Sequence, residues 1–327
     1  MKNTSQKRQH TEVAMRDGSQ KNRGNLISNP AEIDFDAEKV FDFARGYLPS
    51  ALVQATLPHK KPDLPPGAFY QRQNGKFTLT ISATSPRYGI PYGTVPRLLL
   101  AWICTEVVNT KRRVLSLGDC QASFLKKLSL NNDGRDIPRF RDHALRLFNS
   151  AISIENTDLS RGEQSRRLLI SDQSFVLWQP KNTKENDIWT GEVELSQNFF
   201  DEILATPVPM KLEVYRSLRS PMAMDIYCWL NYRIFLLNRS GRPFVLIPWV
   251  GLQMQFGSGY SDIYSFKTNF LKQLSVVLDS YHEARESVED DKAKRCLKLY
   301  PCTLHISQTK HKVAKRTVPT IRGSIFL

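Results

Sequence analysis

Metal and disulfide chemistry have little to work with in this chain. Its five cysteines, Cys104, Cys120, Cys228, Cys296 and Cys302, are odd in number and scattered, and no CxxC or CxxH pair occurs. The six histidines are isolated, so no structural metal site is expected. Most cysteines sit inside apolar runs, as small core residues of a reducing compartment do. Long apolar runs are also missing. The longest, Leu98 to Val108, is interrupted by Glu106 and falls short of the ~20 residues that a membrane span needs. Residues 1–24 carry charges but no apolar stretch, so no secretory signal is expected. The phosphate-loop pattern GxxxxGK[ST], the nucleophile pattern GxSxG and the zinc pattern HExxH are absent. His305 has no histidine two residues away to build a nickase metal cluster, so neither catalysis, nor a cofactor, nor a metal is expected.

What is present is length, core material and positive charge. The 327 residues correspond to about two domains. A hydrophobic content of 41% with 10% aromatics is enough for ordinary cores, which excludes wholesale disorder. Lys and Arg number 46 against 32 Asp and Glu, a net charge of +14, which points to a polyanionic partner: nucleic acid first, an anionic membrane surface second.

Residues 1 to about 28 read as a basic, mobile arm. The run from Pro30 to Ala55 suggests helical pieces broken by Gly46 and Pro49, and the four prolines between Pro58 and Gly67 mark a linker or an extended packing strap. Beyond it a similar order of elements occurs twice. In the first copy, FTLTISA (77–83) is strand-like, Pro96 lies at the start of the helix RLLLAWICTEVVNTK, and RVLSL (113–117) alternates like a strand. Asp119 is placed to cap a short helix that ends in NNDG, and a further helix buries Ile137, Phe140, Ala144, Leu147, Phe148 and Ala151. Two strand-like runs joined by a charged loop follow. In the second copy, Pro221 opens a long helix, FVLI (244–247) is strand-like, and Pro248 starts the helix WVGLQMQFG. GSGYS is a turn, and the next helix buries Ile263, Phe266, Phe270, Leu274 and Val277. ARESVEDDKAKRCLKLYP and TLHIS then read as a hairpin.

Helix, strand, helix, turn, helix, hairpin is the order of a winged helix. The expected class is therefore α+β, with two tandem winged-helix (helix-turn-helix) domains. The divisions are 1–55 for the arm and short helices, 56–190 and 191–308 for the two domains, and 309–327 for a basic tail.

The exposed faces supply candidate DNA contacts. On the first unit's last helix, Arg139, Arg141, His143, Arg146 and Asn149 point away from the apolar stripe, with Arg135 just before it. Guanidinium forks match phosphate oxygens or the guanine edge, although Asp142 and Arg146, four apart, would equally make an ordinary salt bridge. On the second unit's equivalent helix, Ser265, Lys267, Thr268, Asn269, Lys272 and Gln273 are residue types that read base edges in a major groove. Arg161, Arg166 and Arg167 in the first wing are placed for phosphates, and Lys310, Lys312, Lys315 and Arg316 for nonspecific attraction.

Several blocks in order carry a family resemblance. ALVQATLPHKKP, the run from FTLTISATSPRYGIPYGTVPRLLLAWICTEVVNTK to LGDCQASFLKKLSL, RLFNSAIS, RSPMAMDIYCWLNYR and FKTNFLKQL together resemble the plasmid-encoded RepA replication initiators of bacteria, over roughly residues 50–308. The resemblance implies a cytoplasmic initiator that binds repeated double-stranded DNA sites (iterons) at a plasmid origin, promotes opening of the origin and recruits the host initiator and replicative helicase. It also implies a homodimer in equilibrium with the monomer, dimerising through the first domain, and autoregulation of the protein's own gene. A dimeric repressor of the same fold, bound to an inverted repeat, is the alternative.

Overall fold

The computed structural model describes residues 45–74, 77–118, 120–156, 164–171, 175–176, 191–257 and 259–306. The basic arm, Asp119, Arg161 and the tail cations lie outside the described residues.

The chain begins with β1 (Arg45–Pro49) and α1 (Ser50–Gln54), where helical pieces were expected. Gly46 and Pro49 are strand residues because β1 pairs antiparallel with a distant segment. The prolines there are tolerated since a two-stranded ladder leaves one edge of each strand unbonded. After the proline-rich segment come β2 (Tyr70–Asn74) and β3 (Phe77–Ala83). Next are α2 (Thr94–Thr110), β4 (Val114–Gly118), α3 (Gln121–Lys127) and α4 (Asp136–Phe148). The run β5 (Ser150–Asn156), β6 (Gln164–Leu169), β7 (Phe175–Val176) and β8 (Gly191–Glu194) follows. The chain continues through α5 (Gln197–Ala205), β9 (Pro207–Lys211) and α6 (Leu212–Ser217) to α7 (Pro221–Ser240). The last part holds β10 (Val245–Pro248), α8 (Trp249–Phe256), α9 (Ile263–Ser280), a 3₁₀ turn (His282–Ser287), β11 (Val288–Asp291) and β12 (Cys296–Leu299). Helix and sheet are thus mixed throughout.

Two helices make the centre. α2 is buried from Val95 to Thr105 without a break and α7 from Met222 to Asn231, as helices apolar on all sides must be. Ser220 caps α7 by accepting from the Ala223 N–H, and Pro221 occupies the first turn, where no backbone donor is needed. The buried apolar side chains form one cluster running from Tyr47 to Leu299.

A buried ionic node fastens α2 to α7. The Arg97 guanidinium meets Asp225 through two bonds of 2.8 and 2.7 Å, and donates to the Leu57, Pro58 and Gly93 carbonyls. His59 Nε2 lies 2.9 Å from the same carboxylate. Burial alone pushes the Asp225 carboxyl up, but the Arg97 charge, the guanidinium hydrogen bonds and His59 bring it below its ordinary value. The same bonds seat residues 57–59 against the helices, so this part of the proline-rich segment is a docked strap.

The repeated order of elements is present, but the strand pairing is not repeated. Around α7–α9 the three strands close into one sheet in the order β10–β12–β11. Around α2–α4 the counterpart of β10 is β4, which pairs with β8 in the sheet β4–β8–β7, while the β5–β6 hairpin joins β3 and β2. The second hairpin is also tighter than expected. It lies within Val288–Leu299, and Thr303–Ile306 is no strand but an anchored segment, with His305 stacked on Tyr281 and 2.9 Å from the Tyr227 hydroxyl.

Candidate nucleic-acid interface

α9 exists because its ends and one face are satisfied locally. The Asp262 carboxylate accepts from the Ser265 N–H at 2.8 Å and caps the first turn, which holds its pKa below the usual value. Phe266, Phe270, Leu274 and Val277 recur at helical spacing and are buried. Phe270 packs edge-on against Trp249, Phe256 and Trp229, with ring centroids 5.5 to 6.2 Å away. The approach from α8 requires glycine: a Cβ on Gly257 would sit 2.6 Å from the Gln253 carbonyl oxygen, and Gly259 has φ +94°.

Opposite that buried face, Tyr264, Ser265, Thr268, Lys272 and Ser275 are exposed, Tyr264 by 78%. No carboxylate occurs on α9 before Asp279. Two other expected readers are turned to structural work. Lys267 pairs with Asp290 of β11 at 2.8 Å and lies 4.9 Å from the Trp249 ring centroid, while Asn269 donates to the Tyr260 hydroxyl at 2.5 Å. Gln273 is half-buried on the flank. Ile263, expected in the core, is 39% exposed because it precedes the first turn that packs.

The β11–β12 hairpin stands beside α8 and α9. Asp290 accepts from the Trp249 indole at 3.0 Å as well as pairing with Lys267, and the Trp249 N–H donates to the Arg295 carbonyl. The hairpin turn is thereby fixed next to the start of α8, with Lys292, Lys294 and Arg295 exposed on it. Neither Tyr264 nor these three cations was picked out from the sequence. The signals were there: 264, 268 and 272 recur four apart, and KAKR fills the hairpin turn.

α4 is different. Asp133 accepts from the Arg135 and Asp136 N–H groups at its start. Arg135 and Arg139 are exposed, the latter 3.8 Å from Asp136. Arg141 is half-buried. Arg146 bonds Asp142 at 2.7 Å and lies over the Tyr92 ring, while Asn149 is spent closing the helix on the Leu145 carbonyl. His143, expected on the outer face, is buried against Tyr92, its ring 4.8 Å away, because the loop before α2 covers that flank. Burial lowers its pKa to about 4. Arg166 and Arg167 lie in β6 opposite Ile154 and Ser153 in register, with side chains outside the described residues.

Among the described residues, no helix is long and apolar enough to cross a membrane, and no three His, Cys, Asp or Glu are grouped to hold a metal.

The comparison that decides kinship covers the two central helices. Residues 90–250 match the model of the plasmid encoded RepA protein family. Over this segment the chain is similar to the RepA family. The resemblance read over roughly residues 50–308 is thus found again over residues 90–250, and it supports a replication-initiator role. The RepA segment runs from just before α2 into the first turn of α8, so α4 lies within it, and α9 and the β11–β12 hairpin lie beyond it. Two solved structures are similar. One, of RctB domains 2–3, has 13% identity and a TM-score of 0.40, covering 74% of this chain and 84% of that one. The other, a selenomethionine derivative of RctB domains 2 and 3, has 12% identity and a TM-score of 0.42, covering 77% and 95%. No curated protein matches the chain significantly.

Proposed function

We propose that this chain is a plasmid replication initiator that binds repeated double-stranded DNA sites at its origin and carries no enzymatic activity of its own. The reading of the interface rests on one observation. The outward face of α9 offers hydroxyls, an aromatic ring and a cation with no carboxylate on the helix before Asp279, flanked by a hairpin turn bearing three exposed cations. The order α7, β10, α8, α9, β11–β12 and the closure of β10 onto β12 support reading this region as a winged helix-turn-helix, with α9 in the major groove and the turn on phosphate. Without a nucleotide-binding loop, duplex opening would be driven by binding energy, the protein contacting bent or opened DNA better than straight DNA. The RepA similarity supports a plasmid origin as target, and recruitment of a host initiator and helicase belongs to the same proposal.

Footprinting on DNA flanking the coding sequence, with sizing of the bound complex, tests this. Protection of several directly repeated sites, one monomer on each, is the expected result. Protection of a single inverted repeat by a dimer would make repression the primary role. The complex should also be salt-sensitive: replacing Lys292, Lys294 and Arg295 with Ala should weaken all sequences alike and lower the salt slope by about one for each phosphate left unneutralised.

A further inference from the structure

The way α9 divides its polar side chains constrains what it can read, granted that α9 is the reading helix. Base recognition in the major groove uses few side-chain solutions: Arg or Lys on guanine, Asn or Gln on adenine, acids on cytosine, and apolar groups on the thymine methyl. α9 has no arginine and no acid before Asp279. Its asparagine is held by Tyr260, one of its lysines by Asp290 and Trp249, and its glutamine lies half-buried on the flank.

The outward face that remains is Tyr264, Thr268 and Lys272 at successive four-residue steps, with Ser265 and Ser275 beside them. Tyr264 is the most exposed large apolar side chain among the described residues, at 78%. A ring standing in water on a face otherwise suited to a polyanion is free to take an apolar counterpart there. In the major groove the only apolar group on the base edges is the thymine C5-methyl. The Thr268 methyl, one turn on, offers a second contact of the same kind. Lys272, as a point charge, suits a single guanine or a phosphate.

From this we infer that α9 selects thymine-containing steps by contact of the Tyr264 ring and the Thr268 methyl with thymine C5-methyl groups, Lys272 supplying the one cationic contact. The discrimination is thus apolar and lies in a group that can be deleted from the DNA without altering its hydrogen bonding.

The test uses the full chain and a random-sequence duplex pool enriched on it, after which the enriched duplex is made with thymidine or with deoxyuridine. The wild type should bind the deoxyuridine duplex about 3–10-fold more weakly, the size expected for removing one or two buried methyl groups. Tyr264→Ala should bind the two duplexes more nearly alike, the Thr268 methyl keeping only its own share, whereas Tyr264→Phe, which keeps the ring, should retain the full thymine preference. Tyr264 is exposed, so neither change threatens folding. Equal binding of the two duplexes by a wild type that still selects a sequence would overturn the inference while leaving the initiator reading intact. A thymine preference undiminished by Tyr264→Ala would overturn the role given to that ring. Failure to enrich any sequence would remove the reading on which the inference rests.

Discussion

The two helix pairs, α3–α4 and α8–α9, occupy the same place in a repeated order of elements but dispose of their charge in opposite ways. α4 has more cations in sequence, Arg139, Arg141 and Arg146, yet Asp136 and Asp142 on the same helix face Arg139 and Arg146, and Arg146 is drawn onto Tyr92. α9 has two lysines, and the one that needs compensation receives it from Asp290 on a neighbouring hairpin, so its outward face carries no acid before Asp279. A count of cations therefore does not tell which helix offers an uncompensated outward charge. What matters is where the compensating carboxylates sit.

The strands reinforce the contrast. β10 closes onto β12 and holds the hairpin against α8 and α9, while β4 leaves its own hairpin and pairs with β8. The second pair is thus built as one unit with its hairpin, and the first is built into the body of the molecule.

Both pairs hang on the α2–α7 frame, and the largest expected effect comes from breaking it. Asp225→Ala leaves the Arg97 guanidinium buried without its counter-charge, a loss of about 3–5 kcal/mol. Hydrogen exchange should then show protection falling in α4 and α9 together. A loss confined to one pair would mean the two do not share a frame.

Acid should act on both regions through buried histidines. Burial lowers the pKa of His143 on α4 and of His305, stacked on Tyr281, to about 4, from 6.5. The fold favours the neutral rings, so their contribution is full above about pH 6.5 and is lost as pH falls from there toward 4. In urea titrations, His143→Phe and His305→Phe should each flatten that fall, and a pH dependence unchanged in both would contradict the assignment.

The turns separate the pairs by a smaller amount. Gly257→Ala drives a Cβ against the Gln253 carbonyl and should cost about 1–3 kcal/mol. Ser129, which takes the left-handed conformation at φ +58° in the α3–α4 connection, should instead gain up to about 1 kcal/mol on replacement by Gly. Equal effects by thermal unfolding would erase this difference.

Much of this arrangement was legible in the residues. β3 was read at its full extent because FTLTISA alternates between two turn signals, and the buried face of α9 followed from Phe266, Phe270, Leu274 and Val277. α7 was readable from Pro221 and the largely apolar stretch that follows it. The β1–β9 pair was not, because Gly46, Pro49, Pro207 and Pro209 punctuate it like loops and its register, Arg45 opposite Lys211, depends on residues far apart in the chain. Nor could helical spacing show that Asn269 and Lys267 would be captured by Tyr260 and Asp290, since those partners come from a turn and a hairpin. His143 faced outward by periodicity alone and was covered by a loop that periodicity does not see.

The central claim, that α9 reads sequence and α4 does not, is tested most directly by the ratio of specific to random DNA binding in two double variants. Thr268→Ala with Lys272→Ala should lower that ratio by about 1–3 kcal/mol for each base no longer read, while Arg135→Ala with Arg139→Ala weakens all sequences alike and leaves it unchanged. A ratio that falls only in the α4 variant would contradict the account.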